Sequence, residues 1–157
     1  MSTESENAYL AGFLDGDGSI YVRLKRNDTY RFCFQVSPWV VFYQSKKKRS
    51  FLAALQRKRG IGYIRDRKDG IAEWIVGDTK SIHAILEDLI PFLQLKKKQA
   101  KLILKILSKK KVVKNAQNFL DLAKLIDQFK KLNYSKGRKV DAHEVRRVLQ
   151  KKKLLAP

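Results

Sequence analysis

The chain has 157 residues, with 35 lysines and arginines against 15 aspartates and glutamates, for a formal charge of +20 and a pI of about 10.2. That excess is far beyond what solubility requires and predicts a polyanionic partner, with nucleic acid the leading class. Hydrophobic residues make up 44% of the chain, which excludes a disordered polycation, and the lone Cys33 excludes an intrachain disulfide or a cysteine-built zinc cluster.

No apolar run approaches the ~20 residues of a spanning helix, and the N-terminus carries Glu4 and Glu6 in place of an arginine-rich amphipathic pattern, so no membrane role is expected. The length suits one domain over residues 1–157.

In chain order, residues 10–18 read LAGFLDGDG. Ala8, Ala11, Gly12 and Gly16 fall near helical spacing, so a second helix could approach closely, while Tyr9, Leu10, Phe13 and Leu14 fill the other faces. Asp15 and Asp17 arrive where Gly16 and Gly18 end the helix, at the negative end of its dipole, a poor arrangement unless a cation is expected. An EF-hand loop counted from Asp15 fails, with Ile20 where glycine is needed and Arg26 where the bidentate glutamate belongs.

Residues 18–44 alternate like a hairpin. Ile20, Val22 and Leu24 oppose Tyr21, Arg23 and Lys25, and Asn27-Asp28 supplies the turn. Phe32, Phe34, Val36, Val40 and Phe42 then oppose Cys33, Gln35, Ser37, Trp39, Val41 and Tyr43, which puts Cys33 in a strand, and Pro38 points to an edge or bulge.

Residues 47–59 predict a helix with Phe51, Leu52 and Leu55 as its apolar stripe, stopped by Gly60. A second hairpin runs over 62–66 and 71–76 through Lys68-Asp69-Gly70, and Arg65 or Arg67 opposite Glu73 would form a cross-strand ion pair. Thr79 or Ser81 caps a helix carrying Ile82, Ile85, Leu86 and Leu89, ended by Pro91. Helices follow at about 96–107, 117–132 and 142–149 within a helical portion 96–150, and Lys151-Lys152-Lys153 reads as a frayed basic tail over 151–157. His83 and His143 stand alone in helical segments and read as surface or satisfied residues.

The segment Leu10–Gly18 resembles the defining motif of the LAGLIDADG homing endonucleases, with Phe13 for Leu, Leu14 for Ile and Gly16 for Ala. Tyr63–Arg67 and Pro91–Ala100 look like the corresponding segments of intron-encoded homodimeric members from organelles, and the matches cover most of residues 8–140. The resemblance implies an α+β fold in which an antiparallel β saddle is backed by helices and the motif helix lies at a dimer axis. No second motif or internal repeat is found, so a symmetric homodimer is implied, with Ala8, Leu10, Ala11, Gly12, Phe13 and Asp15 at its interface.

By the same resemblance, Asp17 and the Gly16 carbonyl hold Mg²⁺ or Mn²⁺, Ca²⁺ binds without supporting cleavage, and Gln44, Lys48 and Lys96 form a basic pocket around the metals. Asp15 is the less certain carboxylate, suited to local hydrogen bonding, and Lys46, Lys47 and Arg49 leave the pocket's register open by a residue. The implied activity is hydrolysis of both strands of a long pseudo-palindromic duplex, leaving short 3′ overhangs, in an organelle. On the mixed sheet face, Tyr21, Arg23, Lys25, Asn27, Tyr30, Gln35, Ser37, Arg65, Arg67 and Glu73 are candidates for reading the major groove, with Trp39 and Val41 suited to thymine-methyl contact or packing. Lys136, Arg138 and Lys139 resemble a phosphate-gripping loop. The competing readings are a noncleaving nucleic-acid binder, such as a group I intron RNA maturase or a DNA-binding regulator, and a basic ribosome-associated protein, which leaves the motif unexplained.

Overall fold

The computed structural model describes residues 3–134 and 140–157. In order, the elements are α1 (Glu4–Asp17), β1 (Gly18–Arg26), β2 (Phe34–Ser45), a 3₁₀ turn at Lys46–Lys48, α2 (Arg49–Arg59), β3 (Tyr63–Asp66), β4 (Ile71–Val76), α3 (Thr79–Leu89), α4 (Lys97–Lys111), α5 (Ala116–Ile126), α6 (Phe129–Leu132) and α7 (Ala142–Lys151). The α+β plan expected from the sequence is present: the strands form one antiparallel sheet of order β1-β2-β4-β3. The chain divides into two compact units, Met1–Tyr21 with Pro38–Lys101 and Val22–Ser37 with Leu102–Pro157.

In the first unit, α1 starts at a capping box in which Thr3 and Glu6 satisfy each other's backbone N–H groups. It ends at Gly18, where any Cβ would sit 2.5 Å from the Leu14 side chain and 2.7 Å from its carbonyl, so only glycine lets the chain leave the helix this closely. Phe42 stacks on Trp74 at 4.6 Å and meets Phe13 at 5.4 Å, linking the sheet to the helix. Trp74 is fully buried because its indole N–H donates to the Ile61 carbonyl at 3.0 Å. Gly62 allows that approach: its φ is +70°, and a Cβ there would meet the Ile75 carbonyl at 2.3 Å.

Of the two arginines that could stand opposite Glu73 in the second hairpin, the register places Arg65 there. Four local expectations need correction. Pro38 lies in an interior strand, tolerated because pairing with β4 begins only at Val40. Phe51 is 40% exposed instead of joining the core stripe, leaving Leu52 and Ala53 as the buried residues of α2. The α3 cap is Asp78, whose carboxylate accepts the Ser81 N–H at 2.9 Å. Cys33, buried, precedes β2 at φ +64° in a turn closed by Asn27 N–H to the Cys33 carbonyl.

In the second unit, Phe32 and Phe34 stack on Phe119, and α5 packs against α7. The helix expected over 117–132 breaks after Ile126, where hydrogen bonds tighten to a three-residue spacing. There the Asp127 carboxylate accepts the Ala142 N–H at 2.9 Å at the start of α7. The closing lysines are not frayed: Lys153 adopts φ +57°, and Leu154 N–H returns to the Leu149 carbonyl at 2.9 Å, a helix-closing turn.

Candidate active site and nucleic-acid interface

The last turn of α1 contains no basic residue, so two carboxylates at its carbonyl end need compensation from elsewhere. Lys96 supplies it, its Nζ donating to the Asp15 carbonyl at 2.5 Å. The Asp15 carboxylate turns inward and accepts the Gln94 N–H at 2.7 Å and the Lys96 N–H at 2.9 Å. Asp15 is therefore a brace that pins the segment before α4 to the end of α1. Asp17, two residues on, is exposed, and its carboxylate has no hydrogen bond or ion pair among the described residues. Beside it Gly16 is open, with nothing within 4 Å of where a Cβ would stand.

Gln44, the penultimate residue of β2, lies opposite Ala72 and is half-buried, its amide oxygen accepting the Ser45 N–H at 2.9 Å. The following turn is held by Lys46 N–H to the Gly70 carbonyl at 2.9 Å. Arg49 is committed to Asp66, with its Nε 3.0 and 3.1 Å from the two carboxylate oxygens. Lys48, at the N-cap of α2, is exposed and makes no side-chain ion pair among the described residues, so the register question around 46–49 favours a lysine. Lys96 and Asp15 are brought together with Asp17 at the helix end; no hydrogen bond among the described residues ties Gln44 or Lys48 to Asp17.

On the sheet, Ile20, Val22 and Leu24 are buried while Tyr21 is half-buried and Arg23 and Lys25 are exposed, so the alternation is as expected. Tyr30 is exposed at the loop, and Gln35 and Ser37 are half-buried on β2. Asn27 spends its side-chain oxygen on the Thr29 N–H (3.1 Å) and hydroxyl (2.7 Å), so it builds the turn and keeps only its amide nitrogen for other contacts. Glu73 needs a like correction. Its side chain is 5% exposed and accepts from Arg65 Nε at 2.6 Å, with an Arg67 nitrogen at 3.6 Å, so it orients guanidiniums and has little surface left to read a base. The carboxylate hydrogen bond holds the Arg65 pKa above its ordinary value. Arg67 also pairs with Asp69. Val41 is buried and packs rather than contacting a partner. Lys136, Arg138 and Lys139 lie outside the described residues.

Residues 10–113 match the family model described as LAGLIDADG endonuclease. The chain is 42% identical over 142 residues to the DNA endonuclease I-CreI of Chlamydomonas reinhardtii, covering 90% of this chain and 86% of that protein. The chain belongs to the LAGLIDADG endonuclease family. I-CvuI of Chlorella vulgaris, also a DNA endonuclease, is 36% identical over 144 residues, covering 92% of this chain and 89% of that one. A crystal structure of I-CvuI with its target and 2 mM calcium superposes with a TM-score of 0.91 at 33% identity, covering 98% of each chain. A second I-CvuI structure, with the I-CreI target and 2 mM magnesium and the DNA not cleaved, gives 0.92 at 34%, again covering 98% of each chain.

For a LAGLIDADG chain, the surface of α1 is informative. Ala8 and Gly12 are exposed and small, Tyr9 is 56% exposed, and Phe13 is half-buried against Phe42 and Phe51. Leu10, Ala11 and Asp15, expected at a dimer contact, are only 3%, 0% and 9% exposed, because their side chains are used inside the protomer. Sequence reasoning missed Tyr9, Phe51 and Leu95 as surface residues; Leu95, 73% exposed between Gln94 and Lys96, is an apolar residue stranded in a polar run, which was the available signal. Among the described residues no three His, Cys, Asp or Glu side chains group together to hold a metal. The exposed Asp17 carboxylate and the carbonyl groups of the helix end beside it are hard oxygens, the donor type that fits Mg²⁺ as a partly hydrated ion.

Proposed function

We propose that this chain is a site-specific homing endonuclease that, as a symmetric homodimer, hydrolyses both strands of a long pseudo-palindromic DNA duplex in a Mg²⁺- or Mn²⁺-dependent reaction, leaving short 3′ overhangs. The observation that carries this reading is Asp17, exposed and unbonded beside Gly16 at the end of the family's motif helix, where the Lys96 Nζ is held on the Asp15 carbonyl.

Asp17 and the Gly16 carbonyl are the groups that would hold the metal, which when bound supplies Lewis acidity and water acidified enough to attack phosphorus. Asp15 keeps the helix end and the Lys96 segment in register. Lys96 and Lys48 offset negative charge on the phosphate as it is attacked, and Gln44 orders solvent. The exposed arginines and lysines of the sheet supply phosphate and base contacts. A single protomer offers one such carboxylate; two copies meeting through Ala8, Gly12, Tyr9, Phe51 and Leu95 would offer a pair, one for each strand. No helix of the described residues is long and apolar enough to cross a membrane. The two algal relatives are consistent with synthesis in an organelle.

The test is a cleavage selection on a randomised duplex library with Mg²⁺, beside a Ca²⁺ control and an Asp17→Asn control. A cut, pseudo-palindromic consensus recovered only with the unmodified protein and Mg²⁺ is the expected outcome. A sequence enriched as bound but uncut in every arm, or RNA bound in preference to duplex DNA, would overturn it.

A further inference from the structure

Odd-numbered residues of β2 and β4 face away from the Phe13–Phe42–Trp74 contact that joins the sheet to the helices, and on such a face side chains are normally wet. Yet Val41 and Ile75, opposite each other on that face, are 1% and 0% exposed. On the same sheet, Trp39 contacts two further groups, Tyr21 and Arg65. The rings of Tyr21 and Trp39 stack at 6.1 Å with an interplanar angle of 9°, and the Arg65 guanidinium sits 5.6 Å from the Trp39 ring centre while its Nε is held by Glu73 at 2.6 Å. The layer thus crosses all four strands, from Tyr21 on β1 through Trp39 on β2 and Glu73 on β4 to Arg65 on β3.

We infer that Trp39 is a positioning residue for DNA recognition: backed by Tyr21, its ring fixes the plane of the Arg65 guanidinium, so that Arg65 meets the duplex already oriented. This rests on the DNA-reading role proposed above. The physical reasoning is that a free arginine loses several torsional freedoms on forming a bidentate contact, and that cost falls when the fork is already clamped by a carboxylate at Nε and by a π face on its flat side. Glu73 alone fixes one edge of the fork; it takes the stack to fix its tilt. Trp39 then contributes to selectivity without touching a base, since its face is occupied by Tyr21 and Arg65.

The test compares Trp39→Leu, which keeps apolar cover over Val41 and Ile75 but has no π face, with Trp39→Phe, which restores one, and with Arg65→Ala. On the target recovered by selection, base preference is measured position by position. Trp39→Leu is expected to relax preference by roughly 3- to 30-fold at the same positions as Arg65→Ala, to add nothing further in the double variant, and to be rescued by Trp39→Phe. Relaxation at positions indifferent to Arg65→Ala would make Trp39 a direct reader and overturn the inference, as would an unchanged profile. A second readout needs no DNA: the Arg65 Nε–H resonance in the free protein should carry a ring-current shift that Trp39→Leu removes and Trp39→Phe largely restores. If no duplex is bound at all, the DNA reading fails while this shift still decides whether the stack orients Arg65; an Arg65 resonance unmoved by Trp39→Leu overturns the orientation itself.

Discussion

The end of α1 and the β3–β4 hairpin both contain a buried carboxylate beside an exposed charged group, but they use the buried one differently. Asp15 accepts two main-chain N–H groups, from Gln94 and Lys96, and so holds backbone to backbone. Glu73 accepts from side chains, Arg65 closely and Arg67 more loosely, and so holds two guanidiniums that are themselves about half exposed. Losing the first leaves part-buried donors unsatisfied, which is a cost to the fold; losing the second frees two arginines, which under the proposed function is a cost to recognition. In each region the proposed function gives the exposed neighbour the active part: Asp17 in phosphate chemistry, Arg65 on the duplex.

This contrast can be broken experimentally. The largest effect expected is on Asp17: replacing it with Asn should lower the single-turnover cleavage rate by on the order of 10³-fold or more while leaving unfolding free energy nearly unchanged, because its carboxylate supports no internal contact. Asp15→Ala should show the converse emphasis, losing about 1–3 kcal/mol of stability in urea unfolding, since two part-buried donors lose a charged acceptor. A loss below ~1 kcal/mol there would mean that water replaces the carboxylate and that the brace is unnecessary.

Glu73→Gln comes next. It keeps the shape and one acceptor oxygen but removes the charge, so the fold should hold while selectivity at the base pairs facing Arg65 and Arg67 drops by ~5- to 100-fold, read from a panel of single-substituted duplexes. The smallest effects belong to the helix caps. Backbone N–H groups of Ser81 and Glu144 hold the Asp78 and Asp141 carboxyls below their ordinary pKa values, with Lys130 adding to the effect at Asp141. A lowered folded-state value means stability that is complete above the ordinary carboxylate range and is lost as pH falls through the lowered value. Asp78→Ala and Asp141→Ala should therefore each cost about 1 kcal/mol near neutral pH and progressively less in acid, measured by denaturant unfolding across pH.

Much of this comparison was legible in the chain itself, and the reasons differ by region. A cross-strand arginine–Glu73 pair could be read because strand period and the Lys68-Asp69-Gly70 turn put Arg65 and Arg67 on one parity, and the register then selects Arg65. The motif likewise placed Asp15 and Asp17 at a helix end. What spacing could not separate was their roles: the partners of Asp15 lie about 80 residues away, at Gln94 and Lys96, and backbone donors carry no sequence signal. The same limit explains Phe51, whose helical position suits a core stripe but whose exposure depends on what lies opposite it in three dimensions. Asn27 and Glu73 were read as base contacts because their chemistry allows it, yet local hydrogen bonding claims their oxygens first.

The most direct test of the central claim measures cleavage, duplex binding and unfolding together on Asp15→Ala and Asp17→Asn, using the target recovered by selection, with Ca²⁺ for the binding arm. A crossed result is expected: Asp17→Asn folds and binds like the unmodified protein but does not cut, whereas Asp15→Ala is the less stable of the two. Efficient cutting by Asp17→Asn, within a few-fold of the unmodified rate, would contradict the assignment of the exposed carboxylate to the chemistry.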